Sequence, residues 1–325
     1  MVHSREIYDM LIERAKTSAT VQEIFIGMTW TLCQLEGNNR NKNIGLAMSP
    51  AVGTRTLPWS GTLKGKSASD LAPWLLAWEP FQATVGMAVV NAVINSQSEL
   101  LQQASQIDYQ GPANLAVFEH FLPCIRDKRV IVIGRYPGLE CYESQMKLNV
   151  VERMPGPNDY PDPAVEYLLP EAEWVFLTAS SITNKTFPRL SELAKDAHLV
   201  LMGPTVPWIS DLAEFGVDFI AGVKVSDSDI LRNTVAEGGG VRIFESGVRY
   251  CVADLRGEEM QRIKSSISEV VGRREQLKRD MEAWYAGPWR GSFPRVFELE
   301  TIDKELSSLD TRYKRLWDAR QPHMN

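Results

Sequence analysis

Cysteine and histidine are scarce in this 325-residue chain, four of each. Cys33, Cys124, Cys141 and Cys251 form no C-x-x-C pair, and His3, His120, His198 and His323 are equally dispersed, which excludes any compact zinc motif legible from spacing. The cysteines read as reduced, mostly buried thiols. Positive charge is not in excess either: 35 Lys and Arg stand against 41 Asp and Glu, a net charge of -6, so a phosphate-backbone footprint is absent and nucleic acid is not an expected partner. Nowhere do about 18 apolar residues run together, and the opening MVHSREIYDMLIERA has no apolar core of signal-peptide length. Neither a membrane partner nor export is expected, and the expected location is cytoplasmic. No G-x-G-x-x-G fingerprint occurs, and no histidine falls in an expected strand-end loop, so no Ser/His/Asp or Cys/His catalytic set is legible.

What is present is a globular composition, 44% apolar and 23% charged, over a length that suits two domains and an extension. The most informative stretch is KRVIVIGRYPG at residues 128–138. Its β-branched run has no polar alternation, the mark of a strand covered on both faces and hence of a parallel sheet flanked by helices. From residue 129 the chain alternates strand, loop and helix. Strands are expected at 129–133, 148–152, 173–178, 198–202 and 217–221, with helices at 139–145, 163–169, 186–196, 208–215 and 227–236, the rhythm of βαβ units. After Gly238-Gly239-Gly240, residues 241–244 and 248–253 read as a closing hairpin.

Before that point the pattern is α+β. A helix is expected at 4–17 with Ser4 at its start, then strands at 21–36 and 44–51 joined by a turn at 37–41, then helices from Ser67 and from Pro80. After it, apolar residues at steps of three and four from Met260 to Trp284 and from Leu299 to Leu316 predict an antiparallel helical hairpin, with Arg274 in the seam hinting at a polar partner there. The fold class is therefore α/β. A small α+β domain (residues 1–124) precedes a doubly wound, mainly parallel domain (125–255), followed by a C-terminal helical hairpin (256–325). That hairpin either packs on its own chain or makes a homo-oligomer.

Small and polar residues crowd the expected strand ends: Gly134, Arg135, Tyr136, Pro137 and Gly138; Glu152; Thr178, Ala179, Ser180 and Ser181, continuing to Asn184 and Thr186; and Gly203, Pro204 and Thr205. Parallel strands deliver their carboxyl ends to one edge, where ligands of such folds bind. Each residue has a plainer role beside the ligand-binding one. Gly134 and Gly138 suit a strand-to-helix turn; Glu152, 18 residues after Gly134, suits either a ribose hydroxyl or a solvated strand end. Asn184 and Thr186 suit a helix cap. Gly203 and Pro204 suit a turn, with Thr205 able to donate and accept.

The segments ERMPG at 152–156, LTASSITNKT at 177–186, VLMGPTVPW at 200–208 and GVDFIAGVKVSD at 216–227 resemble the family known as the putative heavy-metal chelation domain, a Rossmann-like domain. IGMTWTLC at 26–33, IGLAMSP at 44–50, GTLKGKSASDLAPWL at 61–75 and VGMAVVNAVIN at 85–95 resemble that family's enolase N-terminal-like partner domain. The resemblance covers about residues 1–255 and implies a cleft between the two domains that takes a metal ion, a metal chelate or a small anionic ligand. Asn91 and Asn95, one helical turn apart, either face that cleft, or Asn95 ends its helix and Asn91 bonds to backbone in the core. Oxygen donors in that cleft suit a hard ion, an oxyanion or a polar chelator better than a soft metal. Two other readings stay open, an enzyme using a nucleotide or S-adenosylmethionine with Glu152 on the ribose, and a protein acting through its C-terminal hairpin.

Overall fold

In the computed structural model, described for residues 5–37, 43–53, 55–288 and 291–320, the chain forms one compact unit, Met1–Asp254, and a second, Leu255–Asn325. The expected start at Ser4 and most of the turn at 37–41 lie outside the described residues.

The first unit opens with helix α1 (Glu6–Arg14) and a three-stranded antiparallel sheet, β1 (Val21–Ile26), β2 (Trp30–Leu35) and β3 (Ile44–Met48). Residues 21–36, expected as one strand, are two, because the chain reverses at Gly27, whose N–H bonds to the Trp30 carbonyl. After the short α2 (Ala68–Leu71), helix α3 (Pro80–Gln97) starts with proline in its first turn and the Glu79 carboxylate accepting from Gln82 N–H at 2.7 Å. Every residue from Ala83 to Ile94 is buried, so α3 is a central helix buried on all sides rather than an amphipathic one. Small residues let it in: a Cβ at Gly45 of β3 would collide with the backbone of Ala88 and Ala92.

The chain continues through α4 (Glu99–Gln103), β4 (Ser105–Gln106), α5 (Ala116–Ile125), β5 (Arg129–Ile133), β6 (Lys147–Glu152), β7 (Tyr160–Pro161), α6 (Val165–Leu168), β8 (Trp174–Thr178), α7 (Ser180–Thr183), α8 (Phe187–Leu193), β9 (His198–Met202), β10 (Phe219–Val225), α9 (Ser228–Ala236), α10 (Ile243–Ser246) and β11 (Val248–Asp254). The large sheet has the order β4-β11-β10-β9-β8-β5-β6-β7, with β7, β6, β5, β8, β9 and β10 parallel and β11 antiparallel to β10. In order of appearance the main parallel strands run 2-1-3-4-5, the flavodoxin-like arrangement, with the switch point between β5 and β8. The mixed α/β class read from the sequence is the class observed.

The long apolar runs are explained by two-sided burial. Val130, Val132, Phe176, Val200 and Met202 face a core shared with Phe118 and Phe121 of α5, while Ile131, Val175, Leu177, Leu199 and Leu201 are buried as well. Three expectations change. The helices at 139–145 and 208–215 are only 3-10 turns, Leu139–Tyr142 and Ser210–Phe215. The hairpin at 241–253 does not form: residues 243–246 are a helical turn, and β11 pairs instead with β10 and β4.

The second unit is α11 (Arg256–Ala286) and α12 (Val296–Arg320). Met260 and Ile263 pack with Leu316, and Val270 and Leu277 with Ile302 and Phe293, so the helices are antiparallel. The polar partner of Arg274 is Asp303, at 2.6 Å.

Candidate functional site

The site is built where β5 ends. Gly134 has φ +109°, a conformation that favours glycine, and its N–H donates to the Val151 carbonyl of β6 at 3.0 Å. A Cβ there would press on the Thr178 side chain at 3.2 Å, so glycine lets the tips of β5 and β8 close together. Two residues on, the Tyr136 ring stands edge-on to Phe118, centroids 5.2 Å apart. Its hydroxyl reaches to 4.0 Å from where a Cβ on Gly203 would lie. Gly203, φ +104°, is itself held by an N–H bond to Ala221 of β10. One phenol thus passes from the tip of β5, beside Thr178 of β8, to the tip of β9.

Glu152 closes the group from the end of β6, its carboxylate accepting from Arg153 N–H at 3.1 Å. Burial pushes the Tyr136 phenol well above its ordinary range; the Glu152 charge adds to this, and the hydrogen bond with Thr178 opposes it. Tyr136 is therefore a neutral phenol at physiological pH, fit to donate. The Thr178 and Ser180 hydroxyls lie 3.0 Å apart on the same rim.

The remaining expected residues divide. Gly138, φ +92°, starts the turn after β5, and the Pro137 carbonyl accepts from Asn114 at 2.8 Å. Ser181 is buried with its hydroxyl unpartnered. Asn184 and Thr186 are occupied with each other, Asn184 Oδ1 accepting from the Thr186 N–H and hydroxyl, a turn cap beyond α7. Pro204 is buried; Thr205 accepts from Met48 N–H through its hydroxyl and from Asn91 through its carbonyl. Asn95 accepts from Trp208 N–H at 2.9 Å. These last contacts hold α3 and the end of β3 against the tip of β9, so the antiparallel part borders the rim.

Three groups escaped the sequence. Tyr250 of β11 is buried and stacks on Phe244 at 4.8 Å; burial raises its phenol, and Tyr136 and Tyr109 add to the effect, so three phenols from distant segments gather here. Nothing local to Tyr109 or Tyr250 signals this. Lys185, inside the TNKT run, has φ +69°, donates to the Thr183 carbonyl at 2.8 Å, and is brought down to about 8 by burial.

A metal ion finds no ready-made side-chain centre: among the described residues no three His, Cys, Asp or Glu groups stand close enough to share one. Cys33 and Cys251 are buried and their thiols are pushed up by desolvation, the reverse of what a thiolate ligand needs. Cys124 and Cys141 are exposed and free.

Residues 8–94 match the DUF4213 family model and residues 116–254 the DUF364 model, both described as putative heavy-metal chelation. The chain belongs to this family. A family member of unknown function from Desulfitobacterium hafniense DCB-2 has a crystal structure similar to this one, with TM-score 0.68, 28% identity, and coverage of 78% of this chain and 100% of that one. Another, from Pyrococcus horikoshii, superposes with TM-score 0.61 at 21% identity over 77% of this chain and 99% of its own, a likeness of fold. No curated protein matches this chain. The family description is metal-related, whereas the donors gathered on the rim are hydroxyls, phenols and one carboxylate.

Proposed function

We propose that this chain is a cytoplasmic binding protein for a small anionic ligand or a metal held in its own chelate. The site is the carboxyl edge of the parallel sheet where the antiparallel part borders it. The observation that carries the reading is the path of Tyr136, which brings one neutral donor to the tips of three strands at the switch point. Charge narrows the ligand. A bare anion meets repulsion from Glu152, whereas a chelate turns its oxygens to Tyr136, Thr178 and Ser180 and its positive or donor end to Glu152.

Calorimetric titration with nickel, molybdate and nickel complexes of amino carboxylates tests this. Saturable binding that falls in Tyr136→Phe supports the reading, and no heat across the series removes it. The position of Glu152 at the end of the second parallel strand favours a second reading, a nucleotide or S-adenosylmethionine with its ribose on that carboxylate. Such a ligand at 100 times its Kd adds about 2.7 kcal/mol to stability, and Glu152→Gln removes the protection.

A further inference from the structure

A cavity of about 560 Å³ opens on the same sheet edge, between residues 106–114, which follow β4, and residues 241–249, around α10 and the start of β11. Its size is that of a small-molecule pocket. Tyr109, Ala113, Val241 and Phe244 give it apolar walls, and Arg249 supplies its one cation. That guanidinium is held by the carbonyls of Phe244, Glu245 and Val248 at 3.0–3.3 Å, and among the described residues it makes no ion pair. Asp108 and Glu245, both exposed, stand at the mouth.

Residues that line the cavity touch the rim's neighbours. Phe244 stacks on Tyr250, and Asn114 donates to the Pro137 carbonyl in the Tyr136 loop. Tyr109 and Tyr136 both lie near enough to Tyr250 to disfavour its ionisation. A ligand whose polar end sits on the rim therefore has an aromatic-walled space beside it.

We propose that this cavity receives the ring of the ligand, and that the preferred class is a planar aromatic chelator bearing a single carboxylate, directed to Arg249, rather than a free metal ion or an aliphatic chelate. The inference rests on the rim reading above and extends it. An aromatic ring gains from the walls of Tyr109 and Phe244, and one carboxylate matches one cation while the two acids at the mouth disfavour more.

Nickel–picolinate and nickel–glycinate present the same nitrogen and oxygen donors and differ in the ring. Titrated into the full chain, the picolinate complex should bind about tenfold or more tightly than the glycinate complex, since only it buries a ring. Ala113→Trp, which fills the cavity, should erase that preference. Val241→Trp at the exposed wall is the second variant should the first fail to fold. Equal affinity for the two complexes, or a preference that survives filling, overturns the cavity assignment while the rim reading stands. Binding of neither complex overturns both.

Discussion

The side-chain amide of Asn91 donates to the Thr205 carbonyl at 2.8 Å and, through its other N–H, to the Leu46 carbonyl at the same distance. One fully buried amide thereby joins the central helix α3, strand β3 and the tip of β9. Asn91→Leu leaves two buried carbonyls without these donors and should cost about 2–4 kcal/mol, read from the urea midpoint. A loss under about 1 kcal/mol would mean that water replaces the amide freely.

Gly134→Ala should destabilise by about 1–3 kcal/mol, because φ +109° strains any other residue and the added methyl meets Thr178. Thr178→Ser keeps the hydroxyl and removes the crowding methyl, so the double variant should recover part of that loss. Strict additivity in thermal melts would show that the two tips do not touch.

Lys185 gives a pH dependence whose sign is determined. Its amine is brought down from the ordinary 10.5 to about 8, so between these values the unfolded chain holds a proton that the folded chain has released. Stability therefore rises with pH across that window, and the cost of burying the ammonium is fully present below about 8. Compared with Lys185→Met, the natural chain should gain stability from pH 8 to 10.5. Parallel curves for the two proteins in that range would rule out the burial of the charge.

In the helical hairpin, packing should outweigh charge. Leu277, 2% exposed among Val270, Phe293 and Ile302, should cost about 2–5 kcal/mol on change to alanine. Arg274→Ala breaks an exposed pair with Asp303 and should move the helical melt little, less still in high salt. An equal effect of the two changes on far-ultraviolet dichroism would contradict this ranking.

The parallel strands were legible because burial on both faces demands unbroken apolar runs, and VIVI in β5 or LVL in β9 needs no knowledge of neighbours to be read. The edges were not. β4 and β7 are two residues long, too short for their side chains to carry a period, and β4 is held by backbone pairing to β11, far along the chain. Residues 241–244 have an apolar pattern that suits a strand or a helical turn, and the place of β11 beside β10 decided for the turn. Asn184 and Thr186 show the same limit at the site, since a short polar run reads alike whether it caps a turn or faces a ligand.

The order of residues by itself determined the α/β class, the parallel strands and the edge on which small and polar groups collect, because these follow from local periodicity and from the direction parallel strands share. Only the tertiary structure decided that Tyr136 reaches Gly203, that Tyr109 and Tyr250 join it, and that Asn91 is spent on backbone carbonyls. Those relations depend on packing between separate segments, 45 residues apart from Leu46 to Asn91 and 114 from Asn91 to Thr205, where the partner of a side chain is chosen by distance in space and no local pattern encodes it.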